Sequence, residues 1–162
     1  MIARLIGAAV GAAWLTLGSL AFAQVPQYGA NVTLEQAKKA LAAADAEARK
    51  NSWPVAIAIV DTAGQLVLYQ KHDNTQTASV LVAQDKAVSA AIYRRPSKVF
   101  QDLIAKGGDG LRVLTLRGAS TVEGGVPLTL DGKIIGAIGV SGVNSDQDAM
   151  VAKAGADTLV KQ

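Results

Sequence analysis

Apolar and polar positions along this chain follow two periods in turn. Leu34, Ala37, Leu41, Ala44 and Ala48 recur at helical spacing, with Lys38, Lys39, Glu47 and Arg49 off the stripe; this predicts an amphipathic helix. Thr33 and Gln36 have the spacing of a capping box at its start, and Asn51 suits a left-handed stop at its end. "PVAIAIVD", Pro54 to Asp61, is a continuous apolar run read as a buried strand, and Gln65 to Lys71 alternates as its hairpin partner. After the polar loop "HDNTQT" the helical period returns from Ala78 to Tyr93, with Val80, Ala83, Ala87 and Ala91 on one face, until Pro96 ends it. Ser97 to Ala105 reads as a shorter helix stopped by "GGDG", and Leu111 to Leu116 as a strand. Val126, Leu128 and Leu130 then alternate with Pro127 and Thr129, Asp131-Gly132 marks a tight hairpin, and Lys133 to Val140 returns as the partner. Ser145, with Asp148 three residues on, is expected to cap a last helix whose inner face lies near Met150, Ala154 and Leu159. The order α-β-β-α-α-β-β-β-α predicts an α+β domain: a mostly antiparallel five-stranded sheet flanked by helices.

The residues ahead of this pattern differ in kind. "MIARLIGAAVGAAWLTLGSLAFAQ" places Arg4 before an apolar stretch, Leu5 to Leu20, and ends in Ala21-Phe22-Ala23, an A-x-A cleavage signal. That is the layout of a secretory signal peptide, an uncleaved membrane anchor being the competing reading. The expected organisation is a signal peptide over 1–23, a linker over 24–32 and one domain over 33–162, with a periplasmic or secreted destination. Removing 23 of 162 residues leaves 139, one ordinary domain, and the loss of Arg4 lowers the formal charge from +3 to +2. With no cysteine, a lipoprotein anchor and a disulfide framework are both excluded. No basic run exceeds Arg94-Arg95, so the chain lacks an electrostatic footprint for nucleic acid. Past the leader, no stretch is long enough to span a bilayer.

The glycine-rich stretch "VEGGVPLTLDGKIIGAIGVSG" is the most conspicuous candidate for chemistry. A phosphate-binding loop needs G-x-x-x-x-G-K-[ST] between strand and helix, but here Gly132-Lys133 sits in a hairpin and Ile134 follows. A dinucleotide fingerprint fails equally, because Gly136, Gly139 and Gly142 are spaced along a strand. These glycines read as sheet-shaping: Gly132 supplies a positive φ, while Gly136 and Gly139 admit a close backbone, helix or flat ligand. Asp61, Asp73, Lys86, Glu123 and Asp148 are candidates for acid–base work, against the plainer reading that they cap turns and helix ends. His72 is the one histidine. It stands where a strand gives way to a loop, so its neutral imidazole can face a cleft and ligate a haem iron, or can simply be a solvated loop residue. Tyr93 and Met150 are axial groups only in principle, and Met150 on an apolar helix face reads as core packing.

"AQDKAVSAAIYRRPSKVF", "EGGVPLTLDGKIIGAIGVSG" and "DQDAMVAKAGADTL" together resemble the GlcG/HbpS family of haem-binding proteins, itself similar to the C-terminal domain of PduO-type cobalamin adenosyltransferases. The resemblance runs from about Thr33 to Leu159. It implies a profilin-like sandwich that forms homo-oligomers, and an exported haem-binding protein active in haem sequestration, degradation or sensing through a partner kinase. Two departures bear on the site. Lys71-His72-Asp73-Asn74 stands where the family often has an Arg-Met-Asp-Gly-like sequence, and Ala149 follows Asp148 where many members carry histidine. On this reading His72 is the haem-iron ligand, with Lys71, Lys86 and Arg95 pairing with the propionates. The alternative is a small-molecule enzyme or binding protein of a catabolic, glycolate-type pathway, in which Lys86, Asp61 and Glu123 line one polar pocket. A third is an oligomeric scaffold or sensor partner with no ligand of its own.

Overall fold

A computed structural model describes residues 25–160; the signal-peptide reading of 1–23 lies outside the described residues. In chain order the elements are α1 (Leu34–Lys50), β1 (Ala56–Val60), β2 (Leu66–Lys71), α2 (Ser79–Ile92), α3 (Lys98–Ala105), a 3-10 helix (Gly108–Thr115), β3 (Gly125–Leu130), β4 (Lys133–Ser141) and α4 (Ser145–Ala156). Among the described residues the sheet has four strands, in the order β2-β1-β4-β3, and every neighbouring pair is antiparallel. The fifth strand expected at Leu111–Leu116 is absent. That segment winds as a 3-10 helix, where residues three apart eclipse, so Leu111 and Leu114 fall on one exposed row and Val113 alone is buried. Gly107, just ahead of it, and Gly108, its first residue, both take positive φ, which turns the chain away from any strand direction.

β1 is buried along its whole length because both faces of the sheet are covered. Ile57 and Ile59, with Ile138 and Val140 of β4, face α1 and α4 in the larger core. Ala56, Ala58, Val60 and Ala137 face Ala83, Ala87, Ala90 and Ala91 of α2. This second interface is made of small residues, so α2 lies close to the sheet. A Cβ on Gly139 would run into the backbone of Ala83 and Ala87, and one on Gly125 into the Lys86 carbonyl. The close approach expected at Gly136 also holds, but its neighbours are the Val60 carbonyl and Val32. Here β1 has ended, and the segment before α1 takes over its place beside β4: Ile134 donates to Gln27, while Gly29 and Val32 donate to Ile134 and Ile135. The hairpin turn is as expected, with Asp131 and Gly132 both at positive φ.

Three local expectations shift by a residue or by a face. The Thr33–Gln36 capping box forms, but the left-handed residue after α1 is Ser52 rather than Asn51. α4 is capped from Asn144, whose N–H donates to the Gln147 side chain, and not from Ser145. Asp148 is thereby freed from capping and turns inward. α4 buries Asp148, Val151, Ala152, Gly155 and Ala156, which leaves Met150 53% exposed and not core. Met150, expected near the inner face, points outward because Val151, Ala152, Gly155 and Ala156 make the buried face instead.

Candidate functional site

His72 lies just past the end of β2, and its N–H still donates to the Val55 carbonyl of the ladder. Its side chain is only 12% exposed. Nε2 lies 2.6 Å from Oδ1 of Asp45, a residue of α1 that also accepts from Gln70 Nε2 at 2.6 Å and Arg49 Nε at 2.8 Å. Desolvation pushes the Asp45 carboxyl up, but the hydrogen bonds from Arg49 and His72 outweigh it and hold the group below its ordinary value. An ionised carboxylate only accepts, so Nε2 donates this hydrogen bond, and in a neutral ring that leaves the lone pair on Nδ1. Asp45, Arg49, Trp53, Gln70, Lys71 and His72 share an open cleft of about 740 Å³, to which Asp73 and Asn74 also contribute. Lys71 and His72 therefore line the same cleft.

Lys86 does not join them. Its ammonium is 1% exposed, donates to Asp148 Oδ2 at 2.8 Å and to the Val140 carbonyl at 3.0 Å, and ties α2 to α4 and β4. Burial pushes the Asp148 carboxyl above its ordinary range, opposed by the Lys86 ammonium and by backbone N–H groups at Val143 and Gly142. The pair sits where Gly124 has no side chain: a Cβ there would lie 2.8 Å from Lys86 Nζ. Gly124 and Gly125 of the glycine-rich stretch thus make room for a buried ion pair and for α2. Arg95 lies elsewhere again, past the end of α2, beside a second groove at the β3 edge. The four residues expected around one haem are thus distributed over two surfaces and an interior.

The remaining acid–base candidates do not converge either. Asp61 organises the β1–β2 turn, its Oδ1 accepting from Ala63 and Gln65 at 2.9 Å each. Glu123 lines the second groove, Asp73 the first cleft. The polar pocket of Lys86, Asp61 and Glu123 that the catabolic alternative calls for is not formed. Tyr93 donates to the Arg117 carbonyl at 2.8 Å and packs edge-on against Phe100, a structural role. Among the described residues no three His, Cys, Asp or Glu side chains cluster for a metal ion. Asp45 and Trp53 were missed from sequence. The Asp45–Arg49 spacing marked a helix pair, but nothing local linked it to a histidine 27 residues away.

An antiparallel sheet covered by helices on both faces, with clefts at its two open edges, defines a small α+β domain. A family model described as "Haem degrading protein HbpS-like" matches residues 32–157, and the chain belongs to this family. GlcG of Escherichia coli K12 is 39% identical over 107 residues, 66% of this chain and 78% of that protein. The solved structure of a double mutant of Streptomyces reticuli HbpS aligns with a TM-score of 0.73 at 29% identity, covering 92% of this chain and 98% of that one. A PduOC–haem complex aligns at 0.70 and 24% identity over 78% and 94% of the two chains, a likeness of fold alone.

Proposed function

We propose that this chain is an exported haem-binding protein whose iron ligand is His72 Nδ1. The observation that carries the reading is the Asp45–His72 contact. A carboxylate that holds the far nitrogen of an imidazole fixes its tautomer and orientation and makes the other nitrogen a better metal ligand. Trp53 and Pro54 offer flat apolar surface in the same cleft, and Lys71 and Arg49 are cations within it suited to propionates. The family's haem-related description supports the same ligand class. Bound iron would supply redox and ligand-exchange chemistry. The protein's part is to orient the imidazole and to hold the acid groups. The leader-like residues 1–23 support export, tested by whether the mature N-terminus is Gln24. Haemin titration of the mature protein should give a saturable Soret shift. His72→Ala should abolish it, and Asp45→Asn should weaken binding about 10–100-fold, as loss of such a partner does at metal sites. An unchanged spectrum and affinity in His72→Ala would remove His72 as the ligand. We also propose self-association through the exposed leucines of the 3-10 segment, Leu111, Leu114 and Leu116, which are 46%, 62% and 41% exposed.

A further inference from the structure

The second groove, about 610 Å³, lies at the opposite edge of the sheet from His72. Val126, Pro127, Ile134, Ala149, Ala156 and Val160 give it an apolar wall. Four cations, Arg94, Arg95, Lys98 and Lys153, stand around it with the acids Glu123 and Asp157. Lys98 is paired with Asp102 at 2.7 Å and Lys153 with Asp157 at 2.6 Å. Among the described residues, neither Arg94 nor Arg95 has a carboxylate within salt-bridge distance. Arg94 donates once, to the Pro26 carbonyl at 3.3 Å, and its guanidinium lies over the Tyr28 ring. Arg95 donates once, to the Tyr93 carbonyl at 3.0 Å, near the Phe100 ring. A guanidinium has five donors, so most of both forks is left over.

The backbone adds an independent observation. Arg94 N–H donates to Ala91 and Arg95 N–H to Ala90, the paired bonds that close a helix through a left-handed residue. That residue is ordinarily glycine; here it is Arg94 at φ +53°. A strained, cationic residue where glycine would serve the fold better marks a position kept for its side chain.

We infer that this groove binds an amphipathic carboxylate, an apolar body ending in one acid group, with the acid held by Arg94 and Arg95 and the body against the Val126–Pro127 wall. The two planar forks match a carboxylate, and Glu123 at the same groove disfavours molecules with a second acid nearby. The inference stands apart from the haem reading, whose residues lie in the other cleft. The test is calorimetric titration of the mature protein with octanoate and with octan-1-ol as the neutral counterpart. Octanoate should bind saturably and at least tenfold tighter than octan-1-ol. Arg94→Gln/Arg95→Gln should weaken octanoate at least tenfold, bringing it level with the alcohol. Ala149→Trp, which fills the groove and leaves both arginines, should abolish binding of both, so the test survives if the arginine variant fails to fold. His72→Ala should bind octanoate like the parent, which separates failure of this site from failure of the haem site. No saturable binding of octanoate by the parent, equal binding of acid and alcohol, or full octanoate affinity in Ala149→Trp would overturn the proposal.

Discussion

Lys86→Met removes the ammonium from the most completely buried ion pair while keeping most of the side-chain stem. Asp148, 3% exposed, then loses its 2.8 Å partner. It retains the backbone N–H groups of Val143, at 3.2 Å from Oδ1, and of Gly142, too little to replace a full charge. Breaking a buried pair from one side costs about 3–5 kcal/mol, a large share of the roughly 5–15 kcal/mol that holds a domain of this kind. Protonation of Asp148 offers the variant an escape, and its sign can be worked out. Burial already raises this carboxyl above its ordinary 3.8, and losing Lys86 raises it further. The unfolded chain then ionises first as pH rises, so stability falls between the unfolded and folded values, at up to about 1.4 kcal/mol per pH unit. Urea melts at pH 7 and pH 5 should therefore show a heavy loss at neutral pH that shrinks on acidification. In Lys86→Met/Asp148→Leu, with no charge left to bury, stability should return to within about 1–2 kcal/mol of the parent. A single variant within about 1 kcal/mol of the parent at pH 7, or one that gains nothing at pH 5, would refute the reasoning.

Gly139→Val should cost about 3 kcal/mol, the upper end for overpacking, because backbone of α2 must move; Gly132→Val, in open space at φ +74°, should cost about 1–2 kcal/mol through strain alone. Asp45 titrates below its ordinary 3.8 in the folded chain, so it stabilises the fold above that pH and the contribution fades as pH falls through the folded value. Acid melts of Asp45→Asn should accordingly be shallower than the parent's below about pH 4, and an identical acid limb would count against the Asp45–His72–Arg49 arrangement. Arg94→Gly should raise stability by about 0.5–1 kcal/mol by relieving the left-handed residue, while octanoate affinity falls. Leu114→Glu should reduce the mass seen by light scattering if the exposed leucine row joins copies; an unchanged mass would clear that row of the role.

How far the sequence was legible depended on the range of the interaction that decides each feature. The capping box at Thr33, the Asp131-Gly132 turn and the continuous apolar run of β1 are settled within a few residues, and each was readable. Leu111–Leu116 was misread because alternation alone does not supply a neighbouring strand. Among the described residues no strand pairs with this segment, and its leucines fall on a 3-10 row instead. Gln27 to Val32, within the stretch read as a linker, run beside β4, a placement that depends on where β1 stops. The site suffered most. His72 was visible as a unique imidazole at a strand end, but Asp45 orients it from a helix 27 residues earlier, and no local pattern encodes that. The burial of Lys86 and Asp148, read as acid–base or capping candidates, was hidden because the glycine that makes room for them, Gly124, lies far from both in sequence.

The division of the sheet explains why chemistry falls where it does. β1 and β4 are sealed on both faces, one by the Ile–Val core of α1 and α4, the other by the alanine surface of α2. A ligand entering one face would have to displace α2, held at backbone contact, and a ligand entering the other the packed Ile–Val core, so the interior offers no room. What remains open are the outer strands. His72 follows the end of β2 and meets the C-terminal end of α1, whose partial negative charge suits a site built with Arg49, Lys71 and an imidazole. β3 carries Pro127, which lacks a donor and is tolerated only at an edge, and so presents an apolar wall that resists pairing with a further strand. The two edges are therefore chemically unlike: one polar and centred on a carboxylate-held imidazole, the other apolar and faced by two arginines without acids. A ligand that suits one edge is poorly matched to the other. That is the physical ground for assigning them different ligands, even though Arg95 and His72 looked from sequence like parts of one site.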